Sequence, residues 1–160
     1  MKTVTFDTTT KPTDALVTEA VAAGWHIAYA SVSIREAEDS DFLVTLVTHD
    51  IVPELGNWTE SPWDESRWAE ETSSRQQEAI LQIISNNSFP KDRTLLTVGQ
   101  QHQLRDAMIL DAHAFAQRKI FVTGDAKAFI ANDRRQLLQD LLKTTILTPV
   151  EFKSLLASRI

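Results

Sequence analysis

Residues 105–129 read RDAMILDAHAFAQRKIFVTGDAKAF. Helical spacing runs over residues 100–117, a short polar turn follows, and Ile120–Thr123 is a β-branched and aromatic strand. Asp125 follows that strand after Gly124. In open parallel sheets, ligands bind in the crevice beyond the carboxyl ends of the strands, so Asp125 is expected to project into such a crevice. Far upstream, Thr3–Phe6 is also strand-like and is followed at once by Asp7. Two acids at two strand tips suggest a divalent-metal site.

Outward from this stretch, helices and strands alternate. Arg134–Leu142 reads as a helix with Leu137, Leu138, Leu141 and Leu142 facing the core, Thr145–Thr148 as a strand ending at Pro149, and Val150–Ser158 as a closing helix. Towards the N-terminus, Pro12 and Asp14 open a helix carrying Leu16, Val17, Ala20 and Val21, with Gly24 at its stop. His26–Ser33 reads as a second strand, and Ser33 as the cap of a short helix through Arg35, Glu36 and Glu38. Phe42–Val47 fits a strand or a buried helix equally. Gln76–Ser85 is amphipathic, with Ala79, Ile80, Ile83 and Ile84 on its apolar side, and Leu95–Val98 is a short strand or a lead-in. The alternation with short connections implies parallel crossovers and an α/β sandwich in a single domain, residues 1–160. Residues around 48–75 are the least regular. They hold Trp58, Trp63 and Trp68 and are expected to form an insertion anchored on the core.

The chain has no cysteine, which excludes disulfides, zinc–thiolate sites and thiol catalysis. Its net charge of −6 argues against a broad basic surface for nucleic acid but leaves room for a local basic rim beside a metal. Candidates for that rim are Arg105, Arg118, Lys119, Lys127, Arg134 and Arg135. No apolar run approaches the roughly 18 residues a membrane span needs, and the N-terminal residues do not resemble a signal peptide. A cytoplasmic location and no membrane partner are expected.

Carboxylates gathered at strand tips repel one another unless a cation joins them, and hard oxygen ligands suit Mg²⁺ or Mn²⁺. The candidate acids are Asp7, Glu36 or Glu38, Asp106, Asp111 and Asp125. Asp7 and Asp125 also fit plain turn or cap acids, and Glu36 a solvated helical turn. Asp106 and Asp111 lie on one helix about 140° apart, and spacing does not choose between them. His102 stands four residues before Asp106 and is expected to bond it on the helix surface. Glycine-rich phosphate loops, GxSxG and HExxH are all absent from the sequence.

These residues resemble the PIN domain family, metal-dependent ribonucleases that include VapC-type toxins. The likeness rests on the strand ending in Asp7-Thr8-Thr9, on Ser33-Ile34-Arg35-Glu36, on the helix DAMILDAHA from Asp106, on FVTGDAKAF from Phe121, and on ILTPVEF from Ile146. It is most specific over residues 102–153. Gly124 departs from it, standing where the family often carries a polar or basic residue. The resemblance implies a three-layer α/β/α, Rossmann-like sandwich with a mainly parallel sheet of about five strands. It implies a catalytic, metal-binding cluster of Asp7, Glu36, Asp106 and Asp125 holding Mg²⁺ or Mn²⁺, with Thr123 as a supporting ligand. The implied activity is RNA phosphodiester hydrolysis. Implied partners are an RNA substrate, a protein antitoxin if the chain is a toxin component, and a second copy in a homodimer. Two other readings compete: a PIN-like fold that binds RNA or protein without cleavage, and a receiver-like phosphoacceptor domain using Asp50 and Lys127.

Overall fold

The computed structural model describes residues 1–12, 14–37, 43–54 and 71–158, with Glu36 and residues 71–74 described through their backbone alone. The elements alternate as the sequence implies. The order is β1 (Lys2–Phe6), α1 (Ala15–Ala22), β2 (Trp25–Ala30), α2 (Ser31–Glu36), α3 (Leu43–Leu46) and β3 (Asp50–Val52). There follow α4 (Glu71–Ser85), α5 (Val98–Phe115), β4 (Ile120–Val122), α6 (Ala126–Phe129), α7 (Arg134–Leu142), β5 (Thr145–Leu147) and α8 (Pro149–Ala157). The five strands form one all-parallel sheet in the order β3-β2-β1-β4-β5.

Side-chain alternation on the strands builds two cores and hence three layers. Val4, Phe6, Ile27, Tyr29 and Val122 pack with Val17 and Ala20 of α1 and Phe152 of α8. Ala28, Ala30, Phe121 and Ile146 face the other way, onto Ile80, Leu81 and Ile84 of α4, Leu104 and Met108 of α5, and Leu138 of α7. Thr5 lies between Val4 and Phe6 and so points to the α5 side. There its hydroxyl meets Nδ1 of the buried His113 at 2.9 Å, while Nε2 meets Thr144 Oγ1 at 2.6 Å. Burial and the nearby Arg118 lower the His113 pKa to about 3, so the imidazole is neutral.

Several expectations change. β2 ends at Ala30, and Ser31–Ser33 begin α2. Ser33 is therefore not a cap. It sits inside the helix, buried, with a hydroxyl lacking a partner. Phe42–Val47 yields a single helical turn at Leu43–Leu46, and the third strand falls at Asp50–Val52, inside the stretch read as irregular. That strand is three residues long, too short to show alternation, and Pro53 ends it at the sheet edge. Leu95–Val98 is a lead-in, in which Thr97 and Gln100 form a capping box for α5. On α7, Leu138 and Leu142 face the core, whereas Leu137 and Leu141 are exposed. One i, i+4 stripe suffices there, and the neighbouring positions are turned about 100° away. Gly24 ends α1 at φ +77°, as its place in the sequence implies. The insertion expected over 48–75 overlaps β3 and the start of α4, and Trp58, Trp63, Trp68 and Glu38 lie outside the described residues. No helix among the described residues is long and apolar enough to cross a membrane.

Candidate functional site

The chain builds β1, β2 and β3 outward to one side, then returns through α4 and α5 to lay β4 on the other side of β1. The gap between the carboxyl ends of β1 and β4 is thus the point where strand order reverses, the usual ligand crevice of such sheets. Asp7 and Asp125 flank it.

Asp7 follows Phe6 directly, and its N–H donates to the Val122 carbonyl at 3.0 Å, so parallel pairing continues one residue past β1. Its carboxyl is 3% exposed. Oδ1 accepts the Thr9 N–H at 2.8 Å and the Thr9 hydroxyl, an Asx turn. Oδ2 accepts the hydroxyl of buried Thr123. Tyr29 Oη donates to the Thr10 carbonyl at 3.1 Å and pins the turn from below. Burial pushes the Asp7 carboxyl up to about 6; the hydroxyl and amide donors pull it down, and the charge of Asp125 pushes it further up. No Lys or Arg faces Asp7 among the described residues.

Asp125 stands three residues past β4. Its N–H donates to Thr123 Oγ1 at 2.9 Å, and its Oδ1 accepts the Ala128 N–H at 2.8 Å, capping α6. The plain turn and cap roles are therefore both present in the fold, and the Thr123 hydroxyl links the Asp7 carboxylate to the Asp125 backbone N–H. Gly124 has a packing reason. Its N–H reaches Thr9 Oγ1 at 2.7 Å, and a β-carbon on it would lie 3.0 Å from that oxygen. The two loops can approach only over a glycine.

Asp125 opens into a cleft of about 460 Å³, which Asp106, His102, Gln100, Lys127 and Arg134 also line. Asp106 thus reaches the cleft, and Asp111 does not. Asp111 is fully buried and accepts Gln76 Nε2 at 2.8 Å, tying α5 to α4. His102 and Asp106 both line the cleft. Of the six candidate rim cations, Lys127 and Arg134 line the cleft. Arg135 pairs with Glu151 at 2.8 Å, and Arg118 lies at the opposite sheet edge, donating to the His26 carbonyl at 2.6 Å. Asp50 opens β3 at that same opposite edge, 3.5 Å from Arg118, so it is not the strand-end acid of a receiver-like site.

Compared with known proteins, the chain matches no family model, no curated protein and no solved structure.

Glu36 closes α2, which starts where β2 ends, but its side chain lies outside the described residues. Among the described residues, no group of three or more His, Asp and Glu side chains is gathered closely enough to hold a metal ion. The donor chemistry nevertheless suits a hard cation. Mg²⁺ usually takes one or two carboxylates and keeps its waters. Asp7 and Asp125 supply such a pair, and among the described residues no basic group acts on Asp7 and no hydrogen bond reaches Asp125 Oδ2.

A further acid at this sheet edge escaped the sequence reading. Glu54 stands two residues past β3 and is fully buried. Arg35 Nη2 lies 2.5 Å from it, the Ser31 hydroxyl donates to its Oε2, and its own N–H donates to Ser31 Oγ at 3.1 Å. The available signal was its place just after a strand, hidden because that strand is so short.

Proposed function

We propose that the chain is a metal-dependent endoribonuclease with a PIN-like site in which Asp7 and Asp125 hold Mg²⁺ or Mn²⁺, with Asp106 lining the cleft into which Asp125 opens. The observation that carries this reading is Asp7. It is a carboxyl buried at the tip of the central strand, at the point of strand reversal, with another carboxylate beside it and no cation among its described neighbours. A group needed only for a turn has no reason to hold a buried, uncompensated charge. When bound, the metal supplies activation of a water and neutralisation of charge on the phosphoryl oxygens. The protein's part is to fix the acids. Thr9 and Thr123 orient Asp7, the N-cap bond orients Asp125, and helix α5 carries Asp106 to the cleft. Thr123 is then a positioning residue, its hydroxyl donating to the Asp7 carboxylate and accepting the backbone N–H of Asp125.

A mixed RNA pool incubated with Mn²⁺ tests this. Cleavage is expected from the intact chain, and a loss of about 100-fold or more from Asp125→Asn and from Asp106→Asn. Cleavage that survives both changes would sink the assignment. A second reading, a PIN-like module that binds RNA or protein without cutting, is favoured by one observation: no group of three potential ligands is gathered among the described residues. It expects no cleavage at any metal concentration.

A further inference from the structure

Lys127 and Arg134 share the cleft with Asp106 and Asp125, and among the described residues neither stands within 4.0 Å of a carboxylate. Acids outnumber Lys and Arg by 22 to 16, and Arg35, Arg93, Arg118, Arg135 and Lys153 each stand within 4.0 Å of a carboxylate. Lys127 and Arg134 differ from the other cations in opening on one cleft together, where an anionic occupant can meet both.

The two cations are also built as one wall. Asp125 caps α6, which places Lys127 at the second residue of that helix. Arg134 is the first residue of α7, and its Nη1 donates to the Lys127 carbonyl. Between them Asn132 and Asp133 take positive φ, 54° and 63°, folding the chain back so that the two side chains start from neighbouring points. Arg134 Nη1 is held by the Lys127 carbonyl, which leaves Nη2 of the fork without a bond among the described residues. A guanidinium and an ammonium side by side suit a phosphate: the first binds its oxygens as a fork, the second as a point charge. The cleft, about 460 Å³, has room for much more than one phosphate group.

We propose that Lys127 and Arg134 form a phosphate subsite that grips an RNA strand at a phosphate next to the one cleaved, so that the site acts on a strand and not on a single nucleotide. The proposal rests on the ribonuclease reading for its substrate, but the grip itself needs no metal, which allows the two to fail separately.

The test is fluorescence anisotropy with a labelled single-stranded RNA of about 12 nucleotides in EDTA, at several salt concentrations, because each phosphate contact on a single strand contributes about 0.7 to the slope of log K against log salt. Lys127→Gln should flatten the slope by about 0.7, and Lys127→Gln with Arg134→Gln by about 1.4. Arg135→Gln, whose cation is spent on Glu151, should leave it unchanged. Lys127 is exposed, and its substitution keeps the carbonyl that Arg134 uses, so that variant folds whether or not the double variant does. Where cleavage is measurable, Lys127→Gln should raise KM and leave kcat nearly as it was. Unchanged slopes alongside wild-type cleavage would overturn the subsite and leave the nuclease standing. Flattened slopes in a chain that never cuts RNA would support the subsite and remove the nuclease.

Discussion

Asp7 and Glu54 are both buried carboxylates just past parallel strands, at the same edge of one sheet, yet their surroundings are opposite. Glu54 has a guanidinium at 2.5 Å and a serine bonded through both side chain and backbone. Asp7 has two threonines, a neighbouring carboxylate and a pKa pushed up to about 6. Glu54 is compensated internally and joins α2 to the end of β3. Asp7 is oriented but left without a counter-charge. Under the proposed function, the difference is that between an acid that serves the fold and one placed for a ligand.

The largest expected effect lies on the compensated side. Glu54→Ala leaves Arg35, whose side chain is 21% exposed, without its partner, and should destabilise the fold by about 3–5 kcal/mol. Replacing both residues by Met should recover much of that loss in denaturant unfolding. A loss under 1 kcal/mol from Glu54→Ala would show that the pair does not hold β3 to α2.

The uncompensated side should respond with the opposite sign. The folded-state pKa of Asp7, about 6, is above its ordinary 3.8, so between those values the folded state binds more protons than the unfolded state. Stability is therefore lost as pH rises through this window, by at most about 3 kcal/mol. Without metal, Asp7→Asn should be more stable than the parent by about 1–3 kcal/mol at pH 7.5 and equal to it below pH 4. Equal or lower stability at pH 7.5 would erase the contrast with Glu54.

His113 supplies a control that is silent at neutral pH. Its folded-state pKa, about 3, is below the ordinary 6.5, so the unfolded state binds the extra proton and stability is lost as pH falls through that window. Nuclear magnetic resonance should show the His113 ring neutral down to about pH 4, and a titration centred near 6.5 would contradict the buried bridge between Thr5 and Thr144.

Much of this contrast was legible in the sequence, but unevenly. Strand-end acids after Phe6 and Val122 follow from local pattern, because a β-branched run with an acid behind it is a short-range signal. Helix α5 is equally clear, but which of its acids meets the cleft depends on where α4 lies, a matter of tertiary packing. Only the fold turns Asp111 towards Gln76 and Asp106 towards Asp125. Likewise β3 has three residues, and Glu54 acquires meaning only when Ser31 and Arg35, 23 and 19 residues earlier, close around it. The selection of Lys127 and Arg134 from six nearby cations also needed the turn between α6 and α7, which spacing does not reveal.

Thermal unfolding with and without Mn²⁺ at pH 7.5, for the parent chain and for Asp7→Asn, tests directly that the Asp7 edge awaits a cation. Saturating metal should raise the parent's melting temperature by several degrees, since ligand at about 100 times Kd stabilises by about 2.7 kcal/mol. It should leave Asp7→Asn, already the more stable chain in EDTA, nearly unmoved. A parent that ignores Mn²⁺, or a variant that responds as strongly as the parent, would contradict the assignment.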